Sequence, residues 1–194
     1  MARTTHKIDF LTGCYNKLPN RALSELVVGN MREIGAPKHT EEELEFAREL
    51  NKSIPPEMKK ESLRKDGRPG AENMRNELFD ERILDGYNEG RVGGGSTDVS
   101  DVSWVAPTIE FNTATWILGT PGHSWQMVAQ NGVSIGHKSL IFASKVYAAC
   151  GLDLLINPDL LKKVQNEWTE RLAERTYESP LPADLKPPLH QMEA

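Results

Sequence analysis

The chain has 194 residues, 38% hydrophobic and 26% charged, with 12 Pro and 15 Gly, an ordinary globular composition that excludes disorder for its bulk and suffices for one domain with a sizeable core. A formal charge of −5, from 23 basic and 28 acidic residues, leaves no basic field to hold a phosphate backbone, so nucleic acid is not expected as a partner. The apolar runs within stretches such as residues 115–119 and 153–157 fall far short of the roughly 20 residues of a bilayer-spanning helix, so no membrane is expected either. The N-terminus starts basic but no apolar stretch follows, so no secretory signal is read. Cys14 and Cys150 form no metal or redox spacing, and a cytoplasmic setting with free thiols is the expectation.

In chain order, residues 3–13 carry β-branched and aromatic side chains and end at Gly13, which predicts a single strand with no partner near it in sequence. Asn20 caps a helix whose apolar Leu23, Leu26, Val27, Met31 and Ile34 recur at three and four, and Gly35 with Pro37 terminates it. Thr40 and Glu43 form a capping box for a second helix, striped by Leu44, Phe46, Ala47 and Leu50, that ends before Pro55 and Pro56. Residues 41–91 hold 24 charged side chains in 51 positions whereas residues 92–156 hold six in 65, which assigns the core to the second stretch. The first becomes, from Glu57 on, a solvated connection with a short helix around residues 73–84.

Residues 108–117, introduced by Pro107 and closed by Gly119, read as the best strand of the chain, central in the fold, with Trp116 and Ile117 in the core. Ser134 caps a long small-residue helix through Ala149 that stops at Gly151. Asn157 and Pro158 then begin a helix carrying Leu161, Val164, Trp168 and Leu172. Four prolines after Ser179 make the last fifteen residues an extended tail. Helices alternating with few, well-buried strands predict an α/β layered fold.

Chemistry concentrates in two loops. Residues 93–104, Gly-Gly-Gly-Ser-Thr-Asp-Val-Ser-Asp-Val-Ser-Trp, combine glycines that permit close backbone approach with hydroxyls and carboxylates, and Ser96 or Asp98 can cap a short helix running to Trp104. A turn with a helix cap explains the same residues. Residues 118–126, Leu-Gly-Thr-Pro-Gly-His-Ser-Trp-Gln, put His123 on a Gly/Pro-framed loop after the strongest strand, where loops of α/β folds face the crevice. An imidazole there suits a borderline divalent metal if its second nitrogen is fixed; a hydrogen-bonded loop histidine is the other reading. His137 falls in the first turn of its helix, His6 on the opening strand, and His39 and His190 in a turn and in the tail. No HExxH, CxxC or phosphate-loop motif is present, which removes the zincin, zinc-ribbon and nucleotide-binding readings. Trp104, Trp116 and Trp125 read as core or pocket wall, because no basic side chains interleave with them.

Residues 95–104, 119–126 and 134–138 (Ser-Ile-Gly-His-Lys), in this order, resemble the C-terminal part of the aminobenzoyl-glutamate hydrolase family, amidohydrolases of the peptidase M-twenty (aminoacylase and carboxypeptidase) superfamily. Residues 12–20, Thr-Gly-Cys-Tyr-Asn-Lys-Leu-Pro-Asn, fit the same family, so the resemblance covers nearly the whole chain. It implies that residues 1–12 are the last strand of a ferredoxin-like lid domain. Residues 13–179 would be the C-terminal half of a layered α/β/α metallo-aminopeptidase-like catalytic domain, and residues 180–194 an extended tail. The implied activity is cleavage of an amide bond to an amino acid, of the aminobenzoyl-glutamate or N-acyl-amino-acid type, by water activated at two divalent ions, manganese or zinc. The implied partners are a small-molecule amide and, through the lid domain, a second copy or a related subunit.

His123 matches the family's last metal ligand, and Ser96 and Asp98 would hold its loop or orient ligands. The family's other ligands and its general-base glutamate come from an N-terminal half for which this chain has no matching segment, so no catalytic residue is assigned. A two-metal site needs several convergent ligands to hold ions about 3.5–4 Å apart, and one histidine cannot supply them. The expectation is a portion of a longer reading frame, or a subunit that takes the other half from elsewhere, inactive alone. The alternative is a non-catalytic fragment that binds a partner subunit through its orphan strand and exposed core edges.

Overall fold

Asn20 starts the helical part of the chain. Its side-chain oxygen accepts the amide of Leu23 at 3.0 Å, satisfying a donor that has no partner within the helix, and α1 (Arg21–Ile34) runs to Gly35, where φ is +80°. The capping box of Thr40 and Glu43 forms and begins α2 (Glu41–Asn51). A proline in its first position begins α3 (Pro56–Lys65), followed by one 3₁₀ turn at Ala71–Asn73. The remaining helices are α4 (Val99–Val102), α5 (Trp125–Asn131), α6 (Ser134–Ile156) and α7 (Pro158–Leu172). The structure, a computed structural model, describes residues 4–8, 10–93 and 95–186.

The core is where α1, α6 and α7 meet. Val27 and Met31 of α1 pack on Phe142, Val146 and Cys150 of α6, while Ala22 and Leu23 pack on Val164 of α7. Ala47 and Leu50 of α2 join Ile54, Phe79, Ile117 and Ile135 in a second cluster. Gly136 sets the approach of α5 to α6: a Cβ there would lie 2.7 Å from the Asn131 Cα, so only glycine lets α6 begin so close.

The α/β expectation is corrected by the structure, which is helical and has no strand or sheet among the described residues. Residues 108–117 keep a strand's alternation, with Glu110 and Asn112 exposed and Ile109 and Phe111 packed on the α1–α6 cluster. Their ladder is missing, because no described segment lies alongside to exchange backbone hydrogen bonds. Strand propensity measures fit to neighbours on a sheet and not an autonomous preference, so the segment is a non-helical ribbon. The opening strand fails likewise: the described part of residues 1–12, positions 4–8 and 10–12, is not in a strand. Neither a lid strand nor half of a layered α/β/α domain is what these residues form.

Smaller differences have local causes. The charged connection contains α3 where a helix was expected only around residues 73–84, since Pro56 supplies a start and Leu63, buried against Ala71 and Leu118, an anchor. Ser134 is the first helical residue and Val133 the cap. α6 passes through Gly151 to Ile156, since one helical glycine costs only about 1 kcal/mol. Trp116 and Trp125 are 41% and 62% exposed, whereas Ile117 is buried. The tail beyond Lys186 lies outside the described residues.

α6 is also long and apolar enough to cross a membrane by length and composition. Counting uninterrupted runs overlooks this, because Lys138, Lys145 and Asp153 break the runs without removing the apolar average. It packs on α1, α5 and α7 and its Asp153 accepts a 2.8 Å hydrogen bond from Asn30, but only 22% of its apolar stretch is buried. Its outer side is uncovered: Leu140, Ile141, Tyr147, Leu152, Leu155 and Ile156 are exposed.

Candidate functional site

The loop that carries His123 leaves the core at Ile117 and Leu118, both buried. The amide of Leu118 donates to the carbonyl of Leu78 at 2.7 Å, and the amide of Ile117 donates to Oε1 of Gln130 at 2.6 Å. Gln130, wholly buried on α5, also donates through Nε2 to the Thr120 hydroxyl at 3.2 Å and to the Gln126 carbonyl at 3.0 Å. One amide side chain therefore ties both ends of the turn to the helix that follows it. Gly119, at φ +87°, lies so near α3 that a Cβ would stand 2.9 Å from the Lys59 Cα, which fixes the turn against that helix. Lys59 is itself buried and donates to the Glu77 carbonyl at 2.7 Å; burial lowers its ammonium below the usual lysine value, with the Glu77 carboxylate opposing.

Ser124 ends the loop as the cap of α5, accepting the Met127 amide at 3.4 Å and donating to the Pro121 carbonyl at 2.7 Å. His123, between these fixed points, is exposed and adopts φ +54°, a left-handed conformation uncommon for a non-glycine residue. Its amide faces the Met127 sulfur at 2.9 Å. The imidazole is thus presented outward from a rigid, strained turn.

The glycine-rich loop is placed elsewhere. Ser96 lines a cleft with residues 14–17, 88–93 and Arg171, and His123 does not line it. Ser96 and Asp98 are exposed, and no hydrogen bond or ion pair joins either to His123 among the described residues. The neighbouring positions are structural. The Asp101 carboxylate accepts from the Tyr15 amide at 3.4 Å and the Tyr177 hydroxyl at 3.1 Å. The buried Ser103 hydroxyl accepts the Leu18 amide at 2.8 Å, and its carbonyl accepts the Trp168 indole at 2.8 Å. Among the described residues no three His, Cys, Asp or Glu side chains converge as metal ligands.

Gln130 is the positioning residue that reading the sequence missed. The only local signal is the Gln126–Gln130 pair one helical turn apart, which does not say that the amide faces an unpaired Ile117 N–H.

No family model and no solved structure matches the chain. Among curated proteins it is 30% identical, over 96% of its own length, to a p-aminobenzoyl-glutamate hydrolase subunit of Escherichia coli (strain K12). The chain spans 40% of the length of that relative. The family resemblance carried by the glycine-rich loop, the His123 loop and the start of α6 is therefore met by an overall similarity: almost the whole chain resembles a portion of one p-aminobenzoyl-glutamate hydrolase polypeptide.

Proposed function

We propose that the chain is the C-terminal part of an amidohydrolase cleaving an amide bond to an amino acid, of the p-aminobenzoyl-glutamate or N-acyl-amino-acid type. The observation that carries this reading is the similarity, over 96% of the chain, to a hydrolase subunit. The His123 loop supports it, because strained backbone held by surrounding structure clusters at functional sites. His123 is the imidazole the chain would contribute to a centre of divalent ions, manganese or zinc. The remaining ligands must come from segments outside the described residues, and no step of hydrolysis is assigned to this chain. Ser96 and Asp98 stay candidates for the pocket wall on the same footing. The relative is by its name one subunit of a hydrolase, and assembly with a second copy or a related subunit is part of the proposal.

The test is a chimera in which this chain replaces the matching stretch of the E. coli relative, assayed for release of p-aminobenzoate from p-aminobenzoyl-glutamate with added manganese or zinc. Turnover by the chimera is expected, with a loss of about 100-fold or more in His123→Ala, as for removal of a metal ligand. A folded chimera without turnover, or one indifferent to His123→Ala, overturns the reading. A second reading, a non-catalytic interaction subunit, is favoured by the uncovered apolar side of α6, and a folded but inactive chimera would support it.

A further inference from the structure

α6 is apolar around most of its circumference, yet the chain covers only one half of it. At about 100° per residue, Ile135, Ser139, Phe142, Val146 and Cys150 fall on one side, and all are buried. Leu140, Ile141, Tyr147, Leu152, Leu155 and Ile156 fall within the opposite half and are 55–84% exposed. A helix apolar all round belongs inside a larger protein or a bilayer, and apolar side chains gathered on one open face mark a contact.

The middle of the open side is small. Ser144, Ala148 and Gly151 lie between the large side chains and are exposed. Glycine weakens a helix interior relative to alanine, and nothing in the chain requires it here, since a Cβ at Gly151 would meet no atom within 4 Å. Gly136 differs, because the Asn131 backbone crowds it. A group that packs closely on the open side would give Gly151 the same reason. Lys145, exposed beside Ile141 and Leu152 on this side, has no carboxylate partner among the described residues.

Lipid does not suit the other half of the helix, where α1 and α7 pack and Asp153 accepts from Asn30 at 2.8 Å. α6 could not enter a bilayer without losing these contacts. The matched hydrolase subunit offers a different cover, because the chain spans 40% of its length and the larger part lies outside the match. α5 begins two residues after His123 and packs on α6, so segments that bring further ligands to His123 arrive beside this helix pair.

We propose that the open side of α6 is an internal contact of the longer amidohydrolase polypeptide, covered by a segment from the part outside this chain. That segment presents an apolar surface over Ser144, Ala148 and Gly151 and sets a carboxylate against Lys145. The proposal rests on reading the chain as one part of that longer polypeptide.

The test is hydroxyl-radical footprinting of the exposed α6 side chains in the chain alone and in the chimera with the E. coli relative. Labelling is expected to fall about tenfold in the chimera, the ratio between their present exposure and that of a buried side chain such as Phe142 at 6%. Gly151→Leu is expected to leave the urea midpoint of the chain alone at or above its wild-type value and to lower that of the chimera. A photo-cross-linker at position 152 of the chimera is expected to give no product of twice the polypeptide mass. Exchange of residues 134–156 alone provides a second chimera for the same readouts if the longer exchange does not fold. Side chains that stay labelled in a folded chimera overturn the proposal, as does Gly151→Leu acting alike in both settings. A cross-linked product of double mass, or protection of the chain alone as its concentration rises, places a second copy on α6 and overturns it too. None of these readouts needs turnover: a protected but inactive chimera leaves the contact standing while the hydrolase reading falls, and an active chimera with labelled side chains overturns the contact alone.

Discussion

His123 combines exposure with a left-handed backbone, a conformation that costs a side-chain-bearing residue about 1–2 kcal/mol. If the turn enforces that conformation, glycine should relieve it: His123→Gly is expected to raise the unfolding free energy by about 1 kcal/mol, read from urea denaturation, whereas His123→Ala should leave it nearly unchanged. A loss of stability in the glycine variant would show that the imidazole itself holds the loop. The histidine was legible in the sequence because glycine and proline frame a turn by local chemistry alone. Gln130 was not, since its function depends on meeting Ile117 across the turn, a contact that no local pattern encodes.

Among the elements, the caps were readable and the strands were not. Asn20, Thr40 with Glu43, and Asn157 each bond an amide within a few residues, so their sequence neighbourhood contains both partners. Residues 108–117 have the composition of a strand, but the partner that would make them one is not adjacent in the described structure. The consequence for packing is specific. Ile117→Ala should cost about 2–5 kcal/mol, as for other buried truncations, because Ile117 is 1% exposed within the cluster of Ala47, Leu50 and Ile135. Trp116→Ala should cost less, even though the larger side chain is removed. Its ring is 41% exposed and held by one hydrogen bond to Asn131 at 2.8 Å. Denaturant midpoints for the two variants decide the order, and the reverse order would place Trp116 inside the fold.

At the scale of the whole molecule, α2 and α6 are joined by charge. Glu43, 7% exposed, accepts from the Lys138 ammonium at 2.7 Å and from the Thr40 amide at 2.7 Å. Burial pushes its carboxyl up, but hydrogen bonds from Lys138, Ser134 and Thr40 outweigh that and hold it at about 2. Beside it the His39 ring, 4% exposed and stacked on Phe79 at 4.1 Å, leaves Nδ1 without a hydrogen bond. Burial lowers its pKa below the usual 6.5, against the attraction of Glu81 and Glu43. Both shifts act in one direction. The unfolded chain takes up protons at His39 below about pH 6.5 and at Glu43 below about pH 4.5, before the folded chain does, so stability falls on acidification through each window. His39→Phe should flatten the upper window and leave the lower one, as measured by urea midpoints between pH 7.5 and pH 3; an unchanged upper window would show that His39 charges as readily in the fold as in the unfolded chain. The sequence by itself determined the helix starts, the candidate histidine and the family resemblance, all of which rest on residues close together or on motifs in order. Only the tertiary structure decided that the described chain is helical, that α6 has an uncovered side and that His123 and Ser96 face different surroundings, because each depends on which segments lie beside one another in space.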